Sequence, residues 1–253
     1  MSSKEILFLG TGTSTGVPQL CCDCEACASH DPRDKRLRAS ALITVDGKRL
    51  LIDCGPDFRQ QMLSHHIHRL DAILITHEHY DHVGGLDDVR SYGSINLYAE
   101  RRVNNVLRNT MYYSFDVHKY PGVPEMVLND IEENVPFQAG EVSVLPLRVM
   151  HARLPIIGFR TDNVAYITDA KSLPETSLEQ LYGLDILVLG TLRFQPHFSH
   201  FSMDESLALI DMLKPGQTYF THISHAMGTH KEVEKQLPEN VYLAYDGLVV
   251  KIE

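Results

Sequence analysis

Apolar positions fall along the chain in short runs separated by turn-forming residues, not in one long helical period. Residues 6–9, 40–45, 49–54 and 71–75 are continuous in hydrophobicity and rich in β-branched side chains, which predicts strands buried on both faces. Asp46-Gly47 joins the second and third as a hairpin, since both positions tolerate positive φ. Residues 56–67 read as a helix with Pro56 in its first turn. A helix over 81–92, a strand over 95–98 and a helix over 100–113 come next. Residues 114–125, with Phe115, His118, Tyr120, Pro121, Gly122 and Pro124, read as a loop that flanks a pocket or simply packs on the surface.

The second half alternates again. A strand over 141–150 ends at His151, and 156–159 and 164–167 form a hairpin about Asp162-Asn163. Then come a helix over 175–182, a strand over 185–189 and a helix over 204–213. Ser202 is its predicted N-cap and Glu205 completes a capping box; Lys214-Pro215-Gly216 stops it. A strand over 218–220, a helix over 231–237 and a hairpin about Tyr245-Asp246-Gly247 close the chain. Hairpins plus βα units in both halves predict an α/β fold, with residues 1–253 forming one domain of two similar halves.

The chemistry concentrates where these strands end. Thr76-His77-Glu78-His79-Tyr80-Asp81-His82 comes directly after the 71–75 strand, at the carboxyl end where open α/β sheets bind ligands. His151, Asp169 and His222 each lie just past a predicted strand as well. His77, His79, Asp81, His82, His151, Asp169 and His222 are more N/O donors than one tetrahedral ion takes, but enough for two. Imidazole with carboxylate suits zinc, manganese or iron. Four of the five cysteines fall in Cys21-Cys22-Asp23-Cys24-Glu25-Ala26-Cys27. An odd total clustered so closely speaks for metal, not disulfides. Cys22, Cys24 and Cys27 offer three thiolates for a structural zinc, and His225 a fourth ligand, with Cys21 open as an alternative to Cys22. Cys54 reads as a small buried residue.

The His-x-His-x-Asp-His run, succeeded in order by distant His, Asp and His, resembles the metallo-β-lactamase superfamily over essentially the whole chain. The resemblance implies a four-layer αβ/βα sandwich of mixed sheets with a dinuclear site at one sheet edge. It implies His77, His79 and His151 on one Zn²⁺ or Mn²⁺ ion, Asp81, His82 and His222 on the second, and Asp169 between them. The cysteine site with His225, the turn Gly10-Thr11-Gly12-Thr13-Ser14-Thr15-Gly16-Val17-Pro18, and His200 in Phe198-Ser199-His200-Phe201-Ser202 together resemble the PhnP-type cyclic phosphodiesterases. That resemblance implies hydrolysis of a small cyclic phosphodiester, such as a phosphoribosyl cyclic phosphate. A metal-bridging hydroxide would attack phosphorus, Asp81 would orient it, and His200 would protonate the leaving oxygen, with His197 its rival.

Net charge is −10, which argues against a nucleic-acid partner, since such surfaces cluster Lys and Arg. Two divalent ions would outweigh the site's carboxylates and suit a small anionic substrate. No apolar run is long enough to span a membrane and the start lacks a signal peptide's features, so a cytoplasmic location is expected; a homodimer is compatible with all of this. The basic segment 33–38 reads as a solvated loop. Lys35, Arg36, Arg38 and Thr13, Ser14 and Thr15 are candidates for holding a second phosphate, while His65, His66 and His68 read as solvent-facing. Three alternatives remain. An RNase Z-type tRNA 3′-end endonuclease would share the ligands but use a basic arm. A glyoxalase II-type thiolesterase would add a helical C-terminal region. A non-enzymatic metal-binding accessory protein on the same fold would commonly have lost part of the ligand set.

Overall fold

The computed structural model describes residues 4–252. The first sheet collects β1 (Lys4–Gly10), β2 (Ser40–Val45), β3 (Lys48–Ile52), β4 (Ala72–Leu74), β5 (Ser94–Glu100) and β6 (Glu125–Ile131). The second collects β7 (Phe137–Ala139), β8 (Val142–His151), β9 (Leu154–Thr161), β10 (Val164–Ile167), β11 (Ile186–Arg193), β12 (Phe201–Ser202), β13 (Gln217–Thr221) and β14 (Val241–Leu243). The last strand, β15 (Val249–Ile252), returns to the first sheet beside β1. Each sheet is mixed. Antiparallel pairs through β3, and through β10 in the second sheet, give way to parallel ones beyond.

Side-chain alternation explains why both faces are apolar. Ala41, Ile43, Leu50, Ile52 and Leu74 meet Val144, Ile157, Phe159, Tyr166 and Val188 between the sheets. The intervening Leu42, Leu51 and Ile73 pack outward with Phe58, Met62, Val103 and Leu107. On the far side, Ala165, Leu187 and Phe220 pack with Leu209, Leu213 and Val233. The helices supplying these outer layers are, in chain order, α1 (Glu25–Ala28), α2 (Phe58–Ser64), α3 (Tyr80–Val83), α4 (Arg101–Thr110), α5 (Tyr112–Phe115), α6 (Glu175–Glu179), α7 (Met203–Leu213) and α8 (His230–Glu234). The result is the four-layer αβ/βα arrangement expected from the sequence. Among the described residues no helix is long and apolar enough to cross a membrane.

Several expectations need correction. The helix over 81–92 breaks at Gly84-Gly85 into α3 and a 3₁₀ turn over Leu86–Tyr92. A Cβ on Gly85 would overlap the Gly55 carbonyl, so the chain there is pressed against its neighbour and cannot continue as a regular helix. The closing hairpin about Asp246 does not form. β14 pairs with β13 and β15 with β1, so the segment crosses from one sheet to the other. β6 and β7 went unpredicted; both are at sheet edges, where an irregular burial pattern weakens the apolar alternation. Arg36, expected in solvent, is 4% exposed. Its guanidinium donates to Thr11 Oγ1 at 2.8 Å and to the Ala244 carbonyl at 2.6 Å.

Candidate active site

β3, β4, β8, β10, β11 and β13 all point their carboxyl ends toward one edge of the sandwich. β3 and β4 are parallel, β8 is antiparallel to β9 as β10 is, and β10, β11 and β13 are parallel in turn. The segments leaving these strands carry Asp53, the His77–His82 stretch, His151, Asp169, His200 and His222. Asp53, Asp169 and His222 adopt left-handed backbone, with φ of 60°, 52° and 56°. Non-glycine residues rarely do so except where the surroundings enforce it. Gly190 makes room for the Asp169 backbone, since a Cβ there would lie 3.0 Å from the Asp169 amide nitrogen.

The ligand atoms converge. His77 Nε2 and His79 Nδ1 are 2.9 Å apart, and the His151 ring lies 5.7 Å and 5.3 Å from those two rings. Asp81, His82, Asp169 and His222 form a second group. His82 Nε2 stands 3.1 Å from Asp81 Oδ2 and 3.3 Å from Asp169 Oδ1; His222 Nε2 stands 3.6 Å and 3.2 Å from the same oxygens. Asp169 also reaches the third group, with His151 and His200, its Oδ2 lying 3.9 Å from His200 Nδ1. Asp169 therefore lies between the Asp81, His82 and His222 group on one side and His151 and His200 on the other.

Hydrogen bonds behind the cluster set the tautomers. His82 Nδ1 donates to Asp53 Oδ2 at 2.7 Å. His77 Nδ1 donates to Thr76 Oγ1 at 2.9 Å, and that hydroxyl donates onward to Asp53. His151 Nδ1 donates to the Asp169 and Ser199 carbonyls. In each case Nδ1 is engaged behind the cluster and Nε2 is the ring nitrogen left to face it. Asp53 is wholly buried, and the sequence reading did not place it among the site residues. Its one visible signal is its position at the end of a strand running to the same edge.

Electrostatics are set by this packing. Burial works against the Asp169 carboxylate, but His222 and His82 outweigh it and hold its pKa well below the usual range. Asp81 is lowered in the same way, by His82 and His222 against burial. Burial disfavours charge on His82, yet Asp169, Asp53 and Asp81 together raise its pKa well above that of a free imidazole. His77 is pushed well down by burial and by His82. His200 is pushed down to about 3 by burial and by His222, so its ring is neutral.

The residues fit divalent ions. His82 Nε2 and His222 Nε2 are buried with no hydrogen-bond partner, an arrangement that buried polar atoms avoid unless a ligand completes it. A cation between imidazoles and carboxylates does so. A separate cluster joins Cys22, Cys24 and Cys27 to His225. His225 Nδ1 lies 3.3 Å from both Cys22 Sγ and Cys24 Sγ. The bond to His225 lowers the Cys24 thiol to about 6, whereas burial raises Cys27 to about 11. Cys21 is exposed and outside this cluster.

Other candidates are otherwise engaged. Arg38 pairs with Asp57 at 3.0 Å, Lys35 donates to the Cys27 carbonyl, and Arg36 is buried. His66 and His68 are exposed and His65 half-buried. In the 114–125 segment, His118 and Tyr120 are exposed; the neighbouring cavity of about 360 Å³ is lined by Glu78, Tyr80, Asp87, Met111 and Tyr113.

Residues 48–223 match the beta-lactamase superfamily domain. A solved structure described as a new diphosphatase from the PhnP family is 40% identical and covers 100% of this chain and 98% of its own, with a TM-score of 0.92. The zinc-bound PqqB of Methylobacterium extorquens shares the fold at a TM-score of 0.81 and 22% identity, over 98% of this chain and 100% of its own. A protein of Porphyromonas gingivalis named octanoyltransferase is 42% identical over 98% of this chain, which spans only 51% of that relative's length.

Proposed function

The chain belongs to the β-lactamase superfamily, and from that premise we propose that it is a metal-dependent phosphodiesterase acting on a small anionic substrate. One observation carries this reading: His77, His79, Asp81, His82, His151 and His222 converge about Asp169, with two buried imidazole nitrogens unpaired and aimed at carboxylates. His77, His79 and His151 would hold one ion and Asp81, His82 and His222 the other, with Asp169 common to both. Such ions, when bound, supply Lewis acidity and a water acidic enough to ionise near neutral pH. The chain's own groups do the rest. Asp53 and Thr76 fix ring orientation, and Asp81 is held ionised. His200 presents Nδ1 beside Asp169, and an anionic phosphoryl group against that ring would raise its pKa and let it protonate the leaving oxygen. Cys22, Cys24, Cys27 and His225 would hold a structural zinc.

The cyclic phosphoribosyl ester implied by the sequence resemblance is one substrate of this class. The description of the 40% identical relative as a diphosphatase favours a second, an acyclic diphosphate diester. The deciding experiment assays Zn²⁺- or Mn²⁺-loaded protein on a phosphoribosyl cyclic phosphate, a diphosphate diester, bis(p-nitrophenyl) phosphate and a tRNA precursor. Turnover of the small esters is expected; cleavage of the tRNA alone, or of nothing, overturns the reading. In the same assay His200→Ala should slow an alkoxide-leaving ester about 100-fold or more, and a nitrophenyl ester far less.

A further inference from the structure

The loop between β11 and β12 enters the site at one end and solvent at the other. Arg193 clamps it, donating to the Gln195 and Pro196 carbonyls at 3.2 Å and 3.1 Å. At its far end the Ser199 carbonyl accepts from His151 Nδ1, and the Phe201 amide donates to the Ala170 carbonyl at 2.6 Å. Between these fixed points Phe198 projects outward, 77% exposed. An anchored backbone thus holds a phenyl ring in water two residues from His200.

The rings leading inward are continuous. Phe198 packs on His197 at 4.6 Å, His197 on His200 at 5.2 Å, and His200 on His222 at 4.9 Å. Three ring contacts thus connect the His/Asp cluster to an exposed aromatic face. Arg193 brings positive charge to His197, favourable to a phosphate-bearing ligand. Gln195, exposed on the same loop, carries both a donor and an acceptor. The opposite flank is poorer. Tyr80 is also exposed, but its ring lies against Gly84, and the cavity beside it contains the carboxylates of Glu78 and Asp87.

We propose that Phe198, backed by His197, is a stacking platform for the planar base of a nucleotide substrate, so that the preferred phosphodiesters and diphosphates carry a nucleobase. This rests on the phosphodiesterase reading above. Aromatic stacking is sequence-tolerant and strong enough to dominate affinity for one base.

The test uses metal-loaded wild type, Phe198→Ala, Phe198→Tyr and, as an off-ladder exposed aromatic, Tyr112→Ala. Substrates are ADP-ribose and a diribosyl diphosphate lacking the base; AMP binding is measured by calorimetry. Phe198→Ala should raise KM for ADP-ribose about tenfold, with kcat nearly unchanged, and leave the base-free substrate within twofold. It should weaken AMP equally, while Phe198→Tyr restores both and Tyr112→Ala changes neither. Equal losses on both substrates, or unchanged AMP affinity in Phe198→Ala, overturn the platform. If wild type hydrolyses neither of these substrates nor any of the small esters above, but Phe198→Ala still loses AMP about tenfold, the platform stands and the phosphodiesterase reading fails.

Discussion

At the scale of single residues, the site depends on which nitrogen of each imidazole is free. Asp53 decides this for His82 directly and for His77 through Thr76. Replacing it by alanine leaves two rings free to rotate and to change tautomer. Asp53→Ala should therefore weaken metal binding about 10- to 100-fold, measured by competition with a chelating dye. Unchanged affinity would show that packing alone orients the rings. The clustering of these histidines and aspartates was legible in the chain because they come just after apolar runs, so position along the sequence reported position at the sheet edge. Asp53 was less legible because its role is a contact with a ring 29 residues away. Arg36 was misread for a similar reason: its acceptors on Thr11 and Ala244 are 25 and 208 residues distant, and local charge density resembles that of a surface loop.

At the scale of elements, the segment after β3 is zipped to the histidine-rich loop. The Cys54 amide donates to the His82 carbonyl at 2.8 Å, and the Gly85 amide donates to the Cys54 carbonyl at 2.9 Å. Gly55 lies so close that a Cβ would overlap the Asp81 carbonyl oxygen. Gly55→Ala should thus cost about 3 kcal/mol, as overpacking at rigid backbone does, and displace Asp81 as well. A urea midpoint would report the first effect and metal stoichiometry the second; a variant with full stability and full metal content would refute the interlock. Hairpins such as Asp46-Gly47 and the Ser202/Glu205 capping box were readable because their geometry is local. The break at Gly84-Gly85 was not, since the backbone it abuts belongs to another element.

At the scale of the whole molecule, the crossing between β14 and β15 ties the two sheets together and carries a charge system that joins the buried Arg36 to the half-buried Asp246. Asp246 Oδ1 accepts from Thr11 Oγ1 at 2.7 Å, Thr11 accepts from Arg36, and Asp246 Oδ2 accepts from the Leu37 amide at 2.6 Å. Burial lowers Arg36 to about 10, so it stays charged at neutral pH. Burial raises Asp246 to about 6, despite the opposing pull of the Leu37 amide, Thr11 and Arg36. The folded protein therefore binds more protons at Asp246 than the unfolded chain does between about pH 4 and 6, and this group's contribution to stability falls as pH rises through that window. The full effect is about 3 kcal/mol. Asp246→Asn removes it. Loss of metal from protonated histidines is common to both proteins and cancels in their difference. The stability of Asp246→Asn relative to wild type should accordingly improve by up to about 3 kcal/mol from pH 4 to pH 7, read from urea unfolding at each pH. A difference independent of pH would mean that Asp246 titrates as in water, and that the crossing between the sheets is held by its backbone and apolar contacts instead of by the Arg36–Thr11–Asp246 chain.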